Sequence, residues 1–157
     1  MIAIQPFARH RLTASALLTF ALLTTAPAAP AETFQVKMLN RNSVGAMVYE
    51  PDFLKLQPGD TVKFLPSANG HDAATIEGMI PSGATPFTGK INEPIAITFT
   101  QPGLYGVKCL PHYAMGMVML IQVGDSSKPA DLVIPESVPA RARQRFADIV
   151  RRSQQIP

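Results

Sequence analysis

The chain has 157 residues, 46% of them hydrophobic and 16% charged, with a formal net charge of +3. That length and balance admit one globular domain and exclude a low-complexity or disordered chain. The positive excess is small and depends on the N-terminus, so a nucleic-acid partner is not indicated.

The N-terminus has the layout of a secretory signal. Arg9 and Arg11 precede an apolar run from Leu12 to Ala26, followed by Pro27, Ala28, Ala29, Pro30 and Ala31. A basic start, a short apolar stretch and small residues at the exit describe a cleaved export signal. A membrane anchor is the competing reading, but the run is shorter than the roughly 20 residues a span requires. Residues 1–31 are therefore read as a signal peptide, cut after Ala31 or at Ala28. Removing them takes away two arginines and no acid. The mature protein is expected to be soluble, outside the cytoplasm and free of the membrane.

From Thr33 the pattern is that of strands. Phe34, Val36 and Met38 alternate with Gln35, Lys37 and Leu39, a period of two that marks a half-buried strand. Asn40 to Gly45 reads as a loop before Met47, Val48 and Tyr49. Phe53, Leu54 and Leu56 lead into Pro58-Gly59-Asp60, where proline and glycine supply turn dihedrals. Thr61 to Leu65 is the next strand, ended by Pro66. Residues 66–92 are rich in proline and glycine with little periodicity, and read as long connections with at most short strands. Ile91 to Thr100 returns to a strand through Ile95, Ile97 and Phe99. Pro102-Gly103 turns the chain into Leu104 to Cys109, where Tyr105, Val107 and Cys109 share one face and Lys108 points away. Met117, Met119, Ile121 and Val123 alternate again before Gly124-Asp125. Several short strands separated by turn signals predict an all-β sandwich over residues 32–125.

Residues 126–157 change character. Ser127 with Pro129 in a first turn predicts a short helix running to about Ile134. From Ala140, the apolar positions Ala142, Phe146, Ile149 and Val150 fall at helical spacing, with Arg141, Arg145 and Arg152 elsewhere on the wheel. This second helix is expected to pack on the sandwich. Its arginines read more readily as a solvated face than as a contact for an anionic surface.

The chemistry concentrates in Lys108 to Met119. This stretch holds the only cysteine of the chain, Cys109, with His112 three residues later and then Met115, Met117 and Met119. An unpaired cysteine in an exported domain calls for an explanation. The bland one is an inert buried thiol. Thiolate, imidazole and thioether within a few residues instead suit a soft or borderline metal, copper above all. His71, in Asn69-Gly70-His71-Asp72, is the other histidine outside the signal and the natural fourth ligand. Two histidines, a cysteine and a weak axial methionine compose a blue-copper electron-transfer site. Chemistry alone leaves the axial position open among Met115, Met117 and Met119. If Met117 begins the returning strand it points inward, with Gly116 permitting close approach.

The run Cys109-Leu110-Pro111-His112-Tyr113-Ala114-Met115-Gly116-Met117 resembles the ligand loop of the pseudoazurins, bacterial periplasmic blue copper proteins of the cupredoxin family. Two residues separate cysteine from histidine and four separate histidine from methionine, as in pseudoazurins and plastocyanins. Amicyanins have a shorter second gap, and azurins a longer first one. The likeness extends through Val36-Lys37-Met38-Leu39, Leu56 to Asp60, Val62 to Pro66, Gly70-His71 and Tyr105 to Cys109. It implies a cupredoxin-like Greek-key β-sandwich with two C-terminal α-helices, and one type I copper held by His71, Cys109, His112 and axial Met117. It leaves Met115 in the apolar surface near the metal. One departure stands out. The family usually carries asparagine after the upstream histidine, its side chain tying the two ligand loops together; here the residue is Asp72.

The resemblance implies a periplasmic shuttle of one electron between Cu(I) and Cu(II), not an enzyme, since no acid–base pair accompanies an open metal position. Docking is expected where His112 reaches the surface, among Met47, Pro111 and Met115. Copper nitrite reductase and c-type cytochromes are the implied redox partners, with Lys37, Arg41, Lys90 and Lys108 as steering charges. Asn69 and Thr88 make that basic ring thinner than the family's. A monomer is the default state. Two other classes remain: a periplasmic copper carrier, distinguished by fast metal exchange, and a cysteine–histidine nucleophilic enzyme, distinguished by ready alkylation of the metal-loaded protein.

Overall fold

The computed structural model describes residues 30–155; the signal peptide assignment falls almost wholly outside them. Among the described residues eight strands form two four-stranded sheets. They are β1 (Thr33–Asn42), β2 (Gly45–Glu50), β3 (Phe53–Leu56), β4 (Thr61–Pro66), β5 (Ala74–Thr75), β6 (Ile95–Thr98), β7 (Gly103–Lys108) and β8 (Val118–Val123). One sheet runs β2-β1-β4-β6 and the other β3-β8-β7-β5. The β1–β4 and β3–β8 pairs are parallel and the other pairs antiparallel. This is the expected all-β sandwich.

Alternation explains how the sheets close on each other. Val36 and Met38 of β1, and Val62 and Phe64 of β4, all turn inward, and the parallel register sets Val36 opposite Phe64. Tyr105 and Val107 of β7 meet them from the other sheet, with Met119, Ile121 and Val123 of β8. The turn at Pro58-Gly59-Asp60 is held by Asp60, whose carboxylate accepts the N–H groups of Gln57 at 2.7 Å and Glu32 at 2.8 Å. Gly59 there has φ 103°, a conformation that favours glycine.

Strand β8 is buried at every position. One face looks into the sandwich. The other presents Val118 and Leu120 to a second apolar cluster built with Ile76, Met79, Val138, Ala142, Phe146 and Ile149. Three of those residues come from α1 (Ala140–Ser153). The helix is pinned at its far end by Arg152, which donates two hydrogen bonds, at 3.1 and 2.7 Å, to the largely buried carboxylate of Asp52.

The tail corrects one expectation. In place of the first of two C-terminal α-helices there is a single 3-10 turn, Pro129–Asp131. Ser127 does not cap it; the Asp131 carboxylate accepts the Lys128 N–H at 2.9 Å. Pro135 follows too soon for this turn to extend into a helix, and α1 starts only after Pro139. No helix among the described residues is long and apolar enough to cross a membrane.

Phe146 is fully buried between α1 and β8. Phe146→Ala is expected to destabilise the fold by about 3–5 kcal/mol, the usual range for emptying a buried aromatic site. Urea denaturation of the metal-free protein checks this.

Candidate metal centre

Two connections bring the site together at one end of the sandwich. Strand β7 delivers Cys109 at its tip, fully buried. The chain then passes Leu110-Pro111 to His112 and a 3-10 turn, Tyr113–Met115. The His112 carbonyl accepts the N–H groups of both Met115, at 3.0 Å, and Met117, at 3.1 Å, and so braces the loop internally. Gly116 closes it with φ 89°; a Cβ there would lie 3.1 Å from the Arg141 carbonyl oxygen, so glycine lets α1 press against the loop. The Cys109 N–H then bonds the Met117 carbonyl at 3.0 Å, returning the chain beside its starting point.

His71 arrives from the β4–β5 connection and is also fully buried. Its Nδ1 lies 3.2 Å from His112 Nδ1 and 3.7 Å from Cys109 Sγ, and His112 Nδ1 lies 3.5 Å from that sulfur. All three ligand atoms are within 4.8 Å of one another. Asp72 clamps the two loops: its buried carboxylate accepts the Leu110 N–H at 2.7 Å. The Tyr49 hydroxyl donates to the Asp72 carbonyl at 2.7 Å from within the core.

Two further residues orient His71, and the sequence reading did not find either. Asn40 Oδ1 sits 2.9 Å from His71 Nε2. Since that oxygen only accepts, Nε2 carries the proton and Nδ1 turns a free lone pair toward His112 and Cys109. Asn92 accepts the Gly70 N–H at 2.6 Å through its side chain and donates its own N–H to the His71 carbonyl at 2.8 Å. It does so from a left-handed conformation, φ 66°, that asparagine tolerates better than most residues. Both act across more than 20 residues, so no local motif announces them.

The electrostatics of the site follow from its burial and from the groups around it. Burial lowers the His71 pKa below its ordinary value, with His112 adding to the effect and Asp72 opposing it. Burial pushes the Cys109 thiol up to about 11; the N–H groups of Asp72 and His112 moderate that rise, and the Asp72 carboxylate reinforces it. Two imidazole nitrogens and a buried sulfur turned toward one point form a donor set whose lone pairs can share one electrophile. Soft sulfur with two imidazoles in a compact group fits copper.

Known proteins agree with this geometry. Residues 36–124 match the family of copper binding proteins that contains plastocyanin and azurin. A pseudoazurin of Paracoccus pantotrophus is 45% identical over 137 residues, 87% of this chain and 92% of its own. One from Methylorubrum extorquens is 47% identical over 114 residues, 73% of this chain and 76% of its own. The solved pseudoazurin of Sinorhizobium meliloti superposes with a TM-score of 0.73 at 36% identity, covering 78% of this chain and 97% of that one. The chain belongs to the pseudoazurins of the plastocyanin/azurin family. It is therefore a cupredoxin of the type that binds one type I copper and carries electrons, and it is not an enzyme.

Within that family frame the three candidate methionines separate. Met115 is 44% exposed. Met119 is also fully buried and is paired with Val107 across the β7–β8 ladder. Met117 is fully buried in the same core cluster as Cys109 and directly beside it through the backbone bond. Of the candidate steering charges, Lys37 and Arg41 are exposed on β1, with Lys37 opposite Glu50 in register. Lys90 lies 3.8 Å from Glu93, and the Lys108 amine rests 4.9 Å from the centre of the Tyr113 ring.

Two predictions follow from these electrostatics. A thiol raised to about 11 is protonated near neutrality, whereas a metal takes the thiolate, so loading displaces a proton. The affinity of the metal-free protein for Zn(II) should rise about tenfold per pH unit from about pH 7 to about pH 9. Competition with a chelator measures it, and a flat profile would show the thiol already ionised. Asp72→Asn keeps the oxygen that accepts from Leu110 and removes a negative charge that favours Cu(II). The reduction potential should rise by on the order of tens of millivolts, 59 mV being about 1.4 kcal/mol for one electron. Voltammetry giving an equal or lower potential for the variant would contradict this.

Proposed function

We propose that this chain is an exported, periplasmic one-electron carrier in which His71, Cys109, His112 and Met117 would hold the copper. The observation that carries the assignment is the convergence of the two Nδ1 atoms and the cysteine sulfur within 4.8 Å. Copper supplies the Cu(I)/Cu(II) couple. The protein's own residues hold the ligand atoms still and keep water from the sulfur. Asp72, Asn40, Asn92 and the His112 carbonyl fix both loops through hydrogen bonds that do not involve a metal. His71 and Cys109 have no exposed surface, and His112 alone of the three is partly exposed.

The way out is accordingly the His112 edge. Leu110, 48% exposed, and Met115 give it an apolar rim, the form suited to brief contact with a redox partner. Copper nitrite reductase and c-type cytochromes are the partners that this reading favours, met by a monomer. A copper carrier would need to release its ion readily. Two ligands without solvent access, braced from outside, favour retention.

The test is a visible spectrum of the mature protein after adding Cu(II), then ascorbate, then oxidant. An intense thiolate-to-copper band should appear, bleach and return, and Cys109→Ser should abolish it. A weak band, or rapid oxidation of the thiol, would move the carrier reading to the front.

A further inference from the structure

The charges of this chain are unevenly distributed. Residues 32–125 hold six basic and eight acidic side chains, a net charge of −2. Residues 126–157 hold six basic and three acidic, a net charge of +3. The sandwich that houses the site would therefore not attract an acidic partner by its net charge; the tail would.

Most of that tail charge lies on α1, whose first turn touches the ligand loop at Gly116. Between α1 and the β1–β2 turn runs a groove of about 350 Å³. Val44, Ala46 and Met115 form one side, and Arg141, Arg145 and Asp148 line the other. Met115 and Val44 are among the exposed large apolar residues, so the groove continues the apolar rim at His112. Asp148 is already paired with Arg151 at 2.9 Å. Arg141 has no carboxylate partner among the described residues, and Arg145 reaches only the Ala46 carbonyl, at 3.5 Å. Helix stability does not account for these cations. The first turn of α1 contains Arg141 and Arg143 and no acid, although the positive end of a helix dipole favours acids.

We propose that this groove is the electrostatic half of the docking surface, taking a surface carboxylate of an acidic redox protein between Arg141 and Arg145 while the apolar rim meets the partner at His112. The inference rests on the electron-carrier reading and adds to it where the partner's acidic groups are held. Arg41, opposite Ala46 in the β1–β2 ladder, lies at the same end and adds to the field.

The experiment compares Arg141→Gln/Arg145→Gln with Lys63→Gln/Lys128→Gln, which removes the same charge from exposed positions outside the groove. The second-order rate of electron transfer with an acidic c-type cytochrome is followed by stopped flow against ionic strength. At low salt the arginine pair should slow the reaction about tenfold, within the range of electrostatic steering. The lysine pair should change it far less, and the difference should vanish as salt screens the charges. The visible spectrum should be the same in all three proteins. Calorimetric titration of the same cytochrome with the Zn(II)-loaded, redox-silent proteins reads docking by itself, so a wild type lacking the blue band would refute the carrier reading without obscuring the groove. Equal slowing by both pairs, or none from the arginine pair, overturns the proposal. So does an arginine pair that governs co-sedimentation with phosphatidylglycerol vesicles while leaving cytochrome rates and binding unchanged, which would assign the groove to a lipid surface.

Discussion

Three polar ligand atoms converge at the end of an apolar core, and the rest of the molecule has to hold them there. Two imidazole nitrogens lie 3.2 Å apart, with a thiol sulfur 3.5 and 3.7 Å from them, so three polar groups crowd one point of an apolar interior. An interior with such a cluster either distorts to separate the groups or is braced from outside. The bracing is visible. Asp72 joins the loop of His71 to the loop of Cys109, Asn92 fastens His71 through its backbone, and Asn40 sets its tautomer. Each bond is complete without a metal. The geometry thus belongs to the fold, as a site needs when it must serve two oxidation states with little rearrangement.

That bracing in turn needs a rigid frame. Cys109 is aimed by β7, whose ladder with β8 runs unbroken from Gly103 to Lys108. Asp72 is held from below by the hydroxyl of Tyr49, and the Tyr49 ring packs edge-on against Phe64 at the centre of the sandwich. Burial keeps that hydroxyl neutral by raising its pKa well above the ordinary value. A perturbation in the middle of the core would therefore reach the ligand loops through one ring and one hydrogen bond.

The sequence made some of this legible and hid the rest for identifiable reasons. Where a strand buries one face, as at Val36 and Met38 or Tyr105 and Val107, alternation marks it directly. The ligand loop is legible because cysteine, histidine and methionine sit within nine residues and form a chemical set on their own. Asn40 and Asn92 are polar residues in loop-like contexts, and their role exists only after the fold brings distant segments together. Strand β5 is two residues long and lies in a connection without periodicity, so nothing local distinguishes it. The first tail helix was expected from a cap and a proline, yet a terminus signal without a following apolar period supports only one turn.

The tail has two tasks that its helix keeps apart by face. Strand β8 carries apolar residues on both sides, so the sandwich alone would leave Val118 and Leu120 open to water; Ala142, Phe146 and Ile149 cover them. This makes α1 part of the core, fixed further by the ion pair of Arg152 with Asp52. Its outward face is then free of packing demands and accepts charge at little structural cost. Because Gly116 lets the Arg141 backbone lie against the ligand loop, any charge on that face is held at a fixed offset from His112. A chain with a net negative sandwich can in this way present a positive field beside its redox site without introducing cations into the ligand loops, where they would disturb the thiolate and imidazoles directly.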